Sequence, residues 1–488
     1  MNLGVPFNCQ STGVEHYQIH IKNLLKFPLM KSPNGPKTPA LVQLMQWIAD
    51  PFAFMNNCVE RYGDCFTARV ASNFRPMVFV SNPQAIQQIL TGDTKQFEAP
   101  GDVNGLFRPL LGEHGLILIS GDRHRRQRQL IMPPFHGERM KAYGEIISDL
   151  TEQVMSEWKM GEPFSIRHSM QAISLRVILR AVFGLNEGDR YRQMEELLTS
   201  VLDVTGSPLS ASMLFFPIMQ QDLGAWSPWG RFLRQKQQID SLIYSEIQER
   251  REQGDSNRTD ILSLLMAARD EAGAALTDVE LHDELMTLLT AGHETTATAI
   301  TWALYWIHKQ PEVRAQLLKE LDSLGEQPDN SAIFRLPYLN AVCSETLRIY
   351  PVGMLTFPRV VRSPVQMVGY DLEPGTVLVG SIYLTHQRED VYPQPKQFKP
   401  ERFLERQFSP YEYIPFGGGS RRCIGMAFAL FEMKVVLAKI FSNFELALAD
   451  NRPVKAVRRG LVSAPTNVRL VVSGKRQKTA KSLATQAL

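Results

Sequence analysis

The sequence predicts a mainly α chain with small β-sheets, folded as a single domain. Three observations carry this. Thr277-Asp278-Val279-Glu280 is a capping box, and the run behind it meets no proline until Pro311, which predicts a helix of about 32 residues ending at Lys309. Residues 137–260 are helix-rich. The strand-like pieces are short and scattered. Length alone would allow about three domains of roughly 150 residues. However, no Gly/Ser-rich or Pro-rich linker divides the chain between residues 120 and 425.

In chain order, residues 1–33 read as an irregular N-terminal extension, followed by a stiff entry through Pro33, Gly35, Pro36 and Pro39. Leu41–Trp47 and Pro51–Tyr62 read as amphipathic helices, Phe66–Val70 and Met77–Val80 as strands, and Asn82-Pro83 as the start of a helix to about Leu90. Residues 97–119 are loop-like. His124 and Arg128 share a helix face. Arg125 and Arg126 point elsewhere, as a positive patch for an acidic partner. A long polar helix spans about Gly230 to Gln253, and a shorter one runs from Pro337 to just before Pro351. Val365–Val368 and Thr376–Ser381 read as a hairpin around Glu373-Pro374-Gly375. Leu437–Leu448 completes the helix that follows Cys423, and Arg458–Val462 and Val468–Val472 read as late strands. Residues 474–488 form a flexible basic tail, so the folded domain spans 34–473.

Net charge is 53 − 50 = +3, too small to imply nucleic acid, and no aromatic-interleaved basic face is present. Cys9, Cys58, Cys65, Cys343 and Cys423 form no disulfide framework and no CxxC, which fits a reducing cytoplasm. No apolar run approaches about 20 residues, as a membrane-spanning helix requires. The patch Leu24, Leu25, Phe27, Leu29 and Met30 leaves peripheral membrane contact open.

The chemistry concentrates at Pro415-Phe416-Gly417-Gly418-Gly419-Ser420-Arg421-Arg422-Cys423-Ile424-Gly425. Cys423 precedes a helical stretch, Met426–Phe441, so it sits where exposed N–H groups and a positive dipole end favour a thiolate. The glycines let backbone approach a bulky ligand, and arginine offers bidentate binding to carboxylates. Together these suggest a haem iron held by cysteine. A phosphate-binding loop is a poor alternative, because no Gly-Lys-Ser/Thr follows.

Phe416, Gly419, Arg421, Cys423 and Gly425 resemble the haem-binding loop of the cytochrome P-450 family, the haem-thiolate monooxygenases. That resemblance covers about residues 34–473 and implies the triangular, mainly α haem-thiolate fold with haem b (iron protoporphyrin IX). It implies Cys423 as axial metal ligand, and His124, Arg128, Arg359 and Arg421 as partners of the haem propionates.

Ala291-Gly292-His293-Glu294-Thr295-Thr296 puts a Gly, an acid and two β-branched hydroxyls inside the long helix, a local conflict of the kind that marks function. A threonine hydroxyl there can bond back one turn and loosen the helix. His293-Glu294 begins like a zinc-protease motif, but Ala297 stands where the second histidine belongs. The segment resembles the family's oxygen-activation motif, which implies that Thr295 handles dioxygen and Glu294 passes protons inward. Glu345, Arg348 and Arg402 match the family's buried charged triad, structural rather than catalytic. Ala291, Met354, Leu355, Phe357 and Leu461 are candidate cavity residues, apolar enough for a lipophilic substrate such as a fatty acid, alkane or terpenoid. The Arg-Arg form of the cysteine loop and Arg458-Arg459-Gly460 look more like the fatty-acid-hydroxylase group than the camphor-type enzymes.

The expected reaction inserts one oxygen atom from dioxygen into a C–H or C=C bond. The length leaves no room for a reductase domain, so electrons are expected from a separate ferredoxin or flavodoxin with its reductase. Two rivals remain: a haem-thiolate peroxide isomerase or dehydratase, and a non-catalytic haem sensor. Members of the first kind often lose the acid–Thr pair, and a sensor does not need it.

Overall fold

The computed structural model describes residues 33–92, 94–137, 139–204, 213, 215–216, 219–254, 258–325, 329–460 and 462–476. The N-terminal patch at 24–30, the tail beyond 476 and Leu461 lie outside the described residues.

The described chain begins with helices α1 (Ala40–Ala49) and α2 (Pro51–Tyr62). Asp50 caps α2 by accepting the Ala53 N–H at 3.0 Å. Strands β1 (Cys65–Ala68) and β2 (Met77–Val80), helix α3 (Pro83–Thr91) and the short strand β3 (Phe97–Glu98) follow. Asn82 caps α3 through Gln84 N and Ala85 N. Then come α4 (Gly121–Ile131), α5 (Arg139–Ser156), strand β4 (Pro163–Ser165), α6 (Ile166–Phe183), α7 (Asp189–Val204) and α8 (Pro228–Gln253).

Helix α9 (Asp278–Lys309) has the bounds the capping box and Pro311 predict. Thr277 and Glu280 satisfy each other's backbone N–H groups as the capping box requires. It is the axis of the molecule, lying against α6, α8 and the strand Val462–Pro465. Between residues 281 and 307 nearly every side chain is buried. An amphipathic surface helix buries only one stripe, so α9 reads as a core helix. Helices α10 (Pro311–Asp322), α11 (Pro337–Ile349) and α12 (Met426–Asn443) pack around it.

The remaining strands are β5 (Arg359–Val361), β6 (Val365–Met367), β7 (Tyr370–Leu372), β8 (Val377–Gly380), β9 (Phe444–Leu448), β10 (Ala456–Arg459), β11 (Val462–Pro465) and β12 (Arg469–Lys475). The main sheet has order β1-β2-β8-β5-β3, with β2 and β8 parallel. This corrects the expected hairpin. Val365–Met367 pairs with Tyr370–Leu372, through a turn in which Val368 (φ 48°) and Gly369 (φ 78°) are left-handed. Val377–Gly380 is buried at all four positions and so joins the sheet interior, where a continuous apolar run belongs. The helix after Cys423 ends at Asn443, not Leu448. Residues 444–448 pair with β12 instead, with Leu446 inward and Glu445 and Ala447 outward. The apolar core lies chiefly under the helices, with smaller cores on the two faces of the sheet. Among the described residues no helix is long and apolar enough to cross a membrane.

Candidate active site

The cysteine loop is built by its own backbone. Phe416 accepts the Cys423 N–H at 3.0 Å, closing the turn. Gly417 (φ 65°) and Gly419 (φ 63°) supply left-handed residues that a side chain would strain. At Gly418 a Cβ would stand 2.5 Å from Leu90 Cδ1. Protein surrounds Cys423 closely enough that burial pushes its thiol pKa up, while the Gly425 N–H and the Arg128 and Arg422 guanidiniums pull it back. The residue nevertheless keeps open surface. Deep placement and open surface together mean that Cys423 faces an internal space. The sequence led us to expect a thiolate from the helix end alone. Burial outweighs that, and ionisation awaits a metal ion, which deprotonates a coordinating thiol outright.

Helix α9 shows the same signature. Within 281–307 only Ala291 is exposed, and Leu288, Gly292 and Thr295 on the same face keep partial exposure. Thr295 Oγ1 donates to the Ala291 carbonyl at 2.5 Å, the one-turn back-bond the sequence suggested. The helix runs through without interruption, so this bond does not break it. Glu294 points to α6, where Arg167 ion-pairs with it and Gln171 donates at 2.9 Å. Thr298 adds a contact to Glu294 at 3.3 Å. His293 is buried, with Nε2 3.1 Å from the Gln171 carbonyl. Arg167 and Gln171 have no sequence signal, because they lie more than 120 residues from Glu294 on an ordinary helix face.

Glu345, Arg348 and Arg402 meet in full burial. Arg348 Nε and Nη2 donate to Glu345 at 2.6 and 2.9 Å, and Arg402 Nε donates to Glu345 Oε1 at 3.0 Å. The spare guanidinium N–H groups hold carbonyls of His386, Pro393 and Gln397. The triad therefore grips the segment that leads to the cysteine loop.

The cations differ among themselves. His124 is buried on α4. Arg128 is half-buried near Cys423 and makes no hydrogen bond or ion pair among the described residues. Arg359 is 1 % exposed and donates to Phe357 O at 2.8 Å and Gly418 O at 3.2 Å. Arg421 is buried, and its terminal nitrogens hold the carbonyls of Leu116, Ala99 and Ile119, each at 2.6 Å. It ties down the loop 99–119. Arg126 is also not a free surface cation, since it pairs with Asp270 and lies 3.7 Å from Glu280. Arg125 stays exposed beside Asp122.

Residues 33–472 match the family model for cytochrome P450, written P-450 here. The chain belongs to the cytochrome P-450 family. It is 35% identical over 459 residues to cytochrome P-450 135B1 of Mycobacterium tuberculosis, covering 93% of this chain and 94% of that one. It is 32% identical over 455 residues to cytochrome P-450 138 of the same organism, covering 92% and 98%. Among solved structures, the haem domain of cytochrome P-450DA superposes with TM-score 0.80 at 22% identity, covering 92% and 98%. Retinoic acid-bound cyanobacterial CYP120A1 superposes with TM-score 0.78 at 22% identity, covering 92% and 100%.

Cytochromes P-450 carry haem b. The residues present fit that group. Cys423 offers a soft donor to an internal space, and a Cβ at Gly417 or Gly425 would meet nothing within 4 Å. Arg128 supplies a half-buried cation without an anion. One cavity expectation needs revision. Met354 is 6% exposed and packs into the sheet core with Phe79, Val379 and Tyr383, so it is a packing residue. Leu355 and Phe357 keep partial exposure, and the Phe357 ring lies 6.5 Å from that of Phe107 in the loop 97–119, which we name the covering loop. Two residues of α9 were missed. Asp283 accepts the amides of Glu113 and His114 at 2.9 and 2.8 Å, and Glu284 accepts from the backbone at Leu116. Both clamp the covering loop. The only sequence hint was an acidic pair on an otherwise apolar helix.

Proposed function

We propose that this cytochrome P-450 is a monooxygenase that inserts one oxygen atom from dioxygen into a lipophilic substrate, by hydroxylation or epoxidation. The observation that carries this reading is the open stripe Leu288–Ala291–Gly292–Thr295 on an otherwise buried helix, with a clamped acid beside it. Haem, when bound, supplies dioxygen activation and delivery of the oxygen atom. Cys423 Sγ would hold the haem iron, and the Gly425 N–H beside the sulfur would temper its charge. Arg128 and Arg359 would provide positive charge, and His124 a ring nitrogen, for the propionates.

Thr295 presents its hydroxyl at the open stripe and holds a proton there. Glu294 carries protons from the Arg167–Gln171 side toward that hydroxyl. The covering loop, pinned by Asp283, Glu284 and Arg421, keeps bulk water out. Electrons come from a separate acidic ferredoxin or flavodoxin, and NADPH oxidation by the isolated chain in step with product formation would overturn that part.

The test is Thr295→Ala. With a redox system supplied, the variant should keep consuming NADPH but release peroxide in place of product. Unchanged product yield would sink the oxygen-handling role. Loss of the thiolate-type carbon monoxide spectrum in Cys423→Ser tests the ligand separately.

A further inference from the structure

Hairpin β10–β11 carries a buried cation that the functions above do not use. Arg458 is 5% exposed, and its Nε donates to the Gly460 carbonyl at 2.9 Å. Its guanidinium lies 4.5 Å from the centre of the Phe215 ring. Its Nη1 is buried and has no hydrogen-bond partner among the described residues. No carboxylate among those residues offsets the burial, which pulls its pKa down to about 10. Residues 204–221, which include Phe215, contain no Asp or Glu.

The residue directly opposite Arg458 in the hairpin is Ser463, fully buried. Its Oγ also has no partner among the described residues. Opposed residues of an antiparallel pair project to the same face. Two unsatisfied donors, one of them charged, are thus presented side by side. Ala456 lies on that face too, against the cluster that holds Phe215 and, at its edge, Phe216, Leu355 and Val103.

A buried guanidinium without an anion is a costly arrangement, and its planar fork matches a carboxylate. Apolar surroundings with one paired-donor spot fit an amphipathic molecule with one anionic end.

We propose that Arg458 and Ser463 anchor the carboxylate of the substrate, which makes the substrate a lipophilic carboxylic acid whose hydrocarbon part lies against Phe215, Phe216 and Leu355. This rests on the monooxygenase reading and narrows it from lipophilic molecules in general to acids.

The test uses the full-length haem-loaded ferric protein, titrated with palmitate and with methyl palmitate and followed by the Soret shift. The wild type should bind the acid at least about tenfold more tightly than the ester. Arg458→Met should weaken palmitate by about tenfold to a hundredfold, the range for losing a charged hydrogen bond, and leave the ester unchanged. Ser463→Ala should weaken palmitate several-fold, and Arg458→Lys should retain part of the preference. Equal affinity for acid and ester, no shift with either, or undiminished acid binding in the Arg458 variants overturns the anchor. The carbon monoxide spectrum separates the failures. A wild type without the thiolate band sinks the monooxygenase reading itself. If only Arg458→Met lacks the band, Ser463→Ala and Arg458→Lys decide the matter.

Discussion

The Nε2 atom of His386 accepts the backbone N–H of Ile414 at 3.0 Å, in a site with no access to solvent. The same residue's carbonyl accepts Arg348 Nη1 at 2.8 Å. One histidine therefore links the charged triad to the segment that runs into Phe416 and Cys423. His386→Ala should strand the Ile414 amide, which costs about 1–3 kcal/mol for a buried unpaired donor. Denaturant unfolding should register that loss, and the variant should retain less haem after gel filtration. Wild-type haem retention at reduced stability would show that the loop is held by its own turns alone.

The triad members should not be equivalent. Glu345 sits between two guanidiniums and also accepts the Lys399 amide at 2.8 Å. Glu345→Gln leaves two buried cations facing each other, and the expected loss is at least the about 3–5 kcal/mol typical of breaking a buried pair. Arg402→Met leaves Glu345 with Arg348, and should cost less. Unfolding free energies of the two variants, compared with wild type, test the order. A larger loss for Arg402→Met would place the anchor at its contacts with Pro393 and Gln397 instead.

What could be read in the sequence was what is written in local spacing. The capping box and Pro311 fixed both ends of α9, and the glycine loop around Cys423 marked the site. Contacts between distant elements left no local trace. Arg167 meets Glu294 across 127 residues, and His386 meets Ile414 only because both are buried beside Tyr392 and Tyr413. The misplaced hairpin has the same origin. A strand rich in Val and Leu fits either a local turn or a sheet interior, and only tertiary pairing with Met77–Val80 decides. Met354 looked like a cavity residue because apolarity does not say which face of an extended segment turns inward.

The covering loop should be loosened from α9. Asp283 Oδ2 holds two amides, and its Oδ1 lies 2.8 Å from His282, which reaches Asp240 on α8 at 2.9 Å. A Cβ at Gly112 would stand 2.2 Å from the Asp283 carboxylate. Asp283→Ala frees the amides of Glu113 and His114. Their hydrogen exchange should accelerate about tenfold or more, as expected for losing at least one hydrogen bond of ~1.4 kcal/mol. Gly112→Ala should do the same by displacing the carboxylate. Unchanged exchange at both amides would mean that the three carbonyl contacts of Arg421 suffice to hold the loop.

Stability should be greatest on the acid side of neutrality for reasons that can be assigned. Burial lowers His308 to about 4 and, with Arg348 adding to it, His386 to about 3, both from an ordinary 6.5. The folded protein keeps both neutral while the unfolded chain takes up protons. Their contribution is therefore full above pH 6.5 and declines as pH falls toward 4. Each group gives a slope of at most about 1.4 kcal/mol per pH unit. Glu432 runs the other way. Burial raises it from 4.5 to about 8, with Ser174 pulling it back, so its contribution is complete below 4.5 and is lost as pH rises through 8. Glu284, raised by the same cause, adds to that alkaline decline. Between pH 4.5 and 6.5 the two histidines and the two raised carboxyls, Glu432 and Glu284, largely cancel; above 6.5 only the carboxyls act. Unfolding free energies of the haem-loaded protein should rise with pH up to about 4.5, stay nearly level to 6.5 and fall above it. Glu432→Gln keeps a group able to bond Ser174 but cannot ionise. It should make the alkaline limb about half as steep, Glu284 keeping the rest, and let stability rise between pH 4.5 and 6.5; an unchanged alkaline limb would show that Glu432 is not neutral in the folded protein.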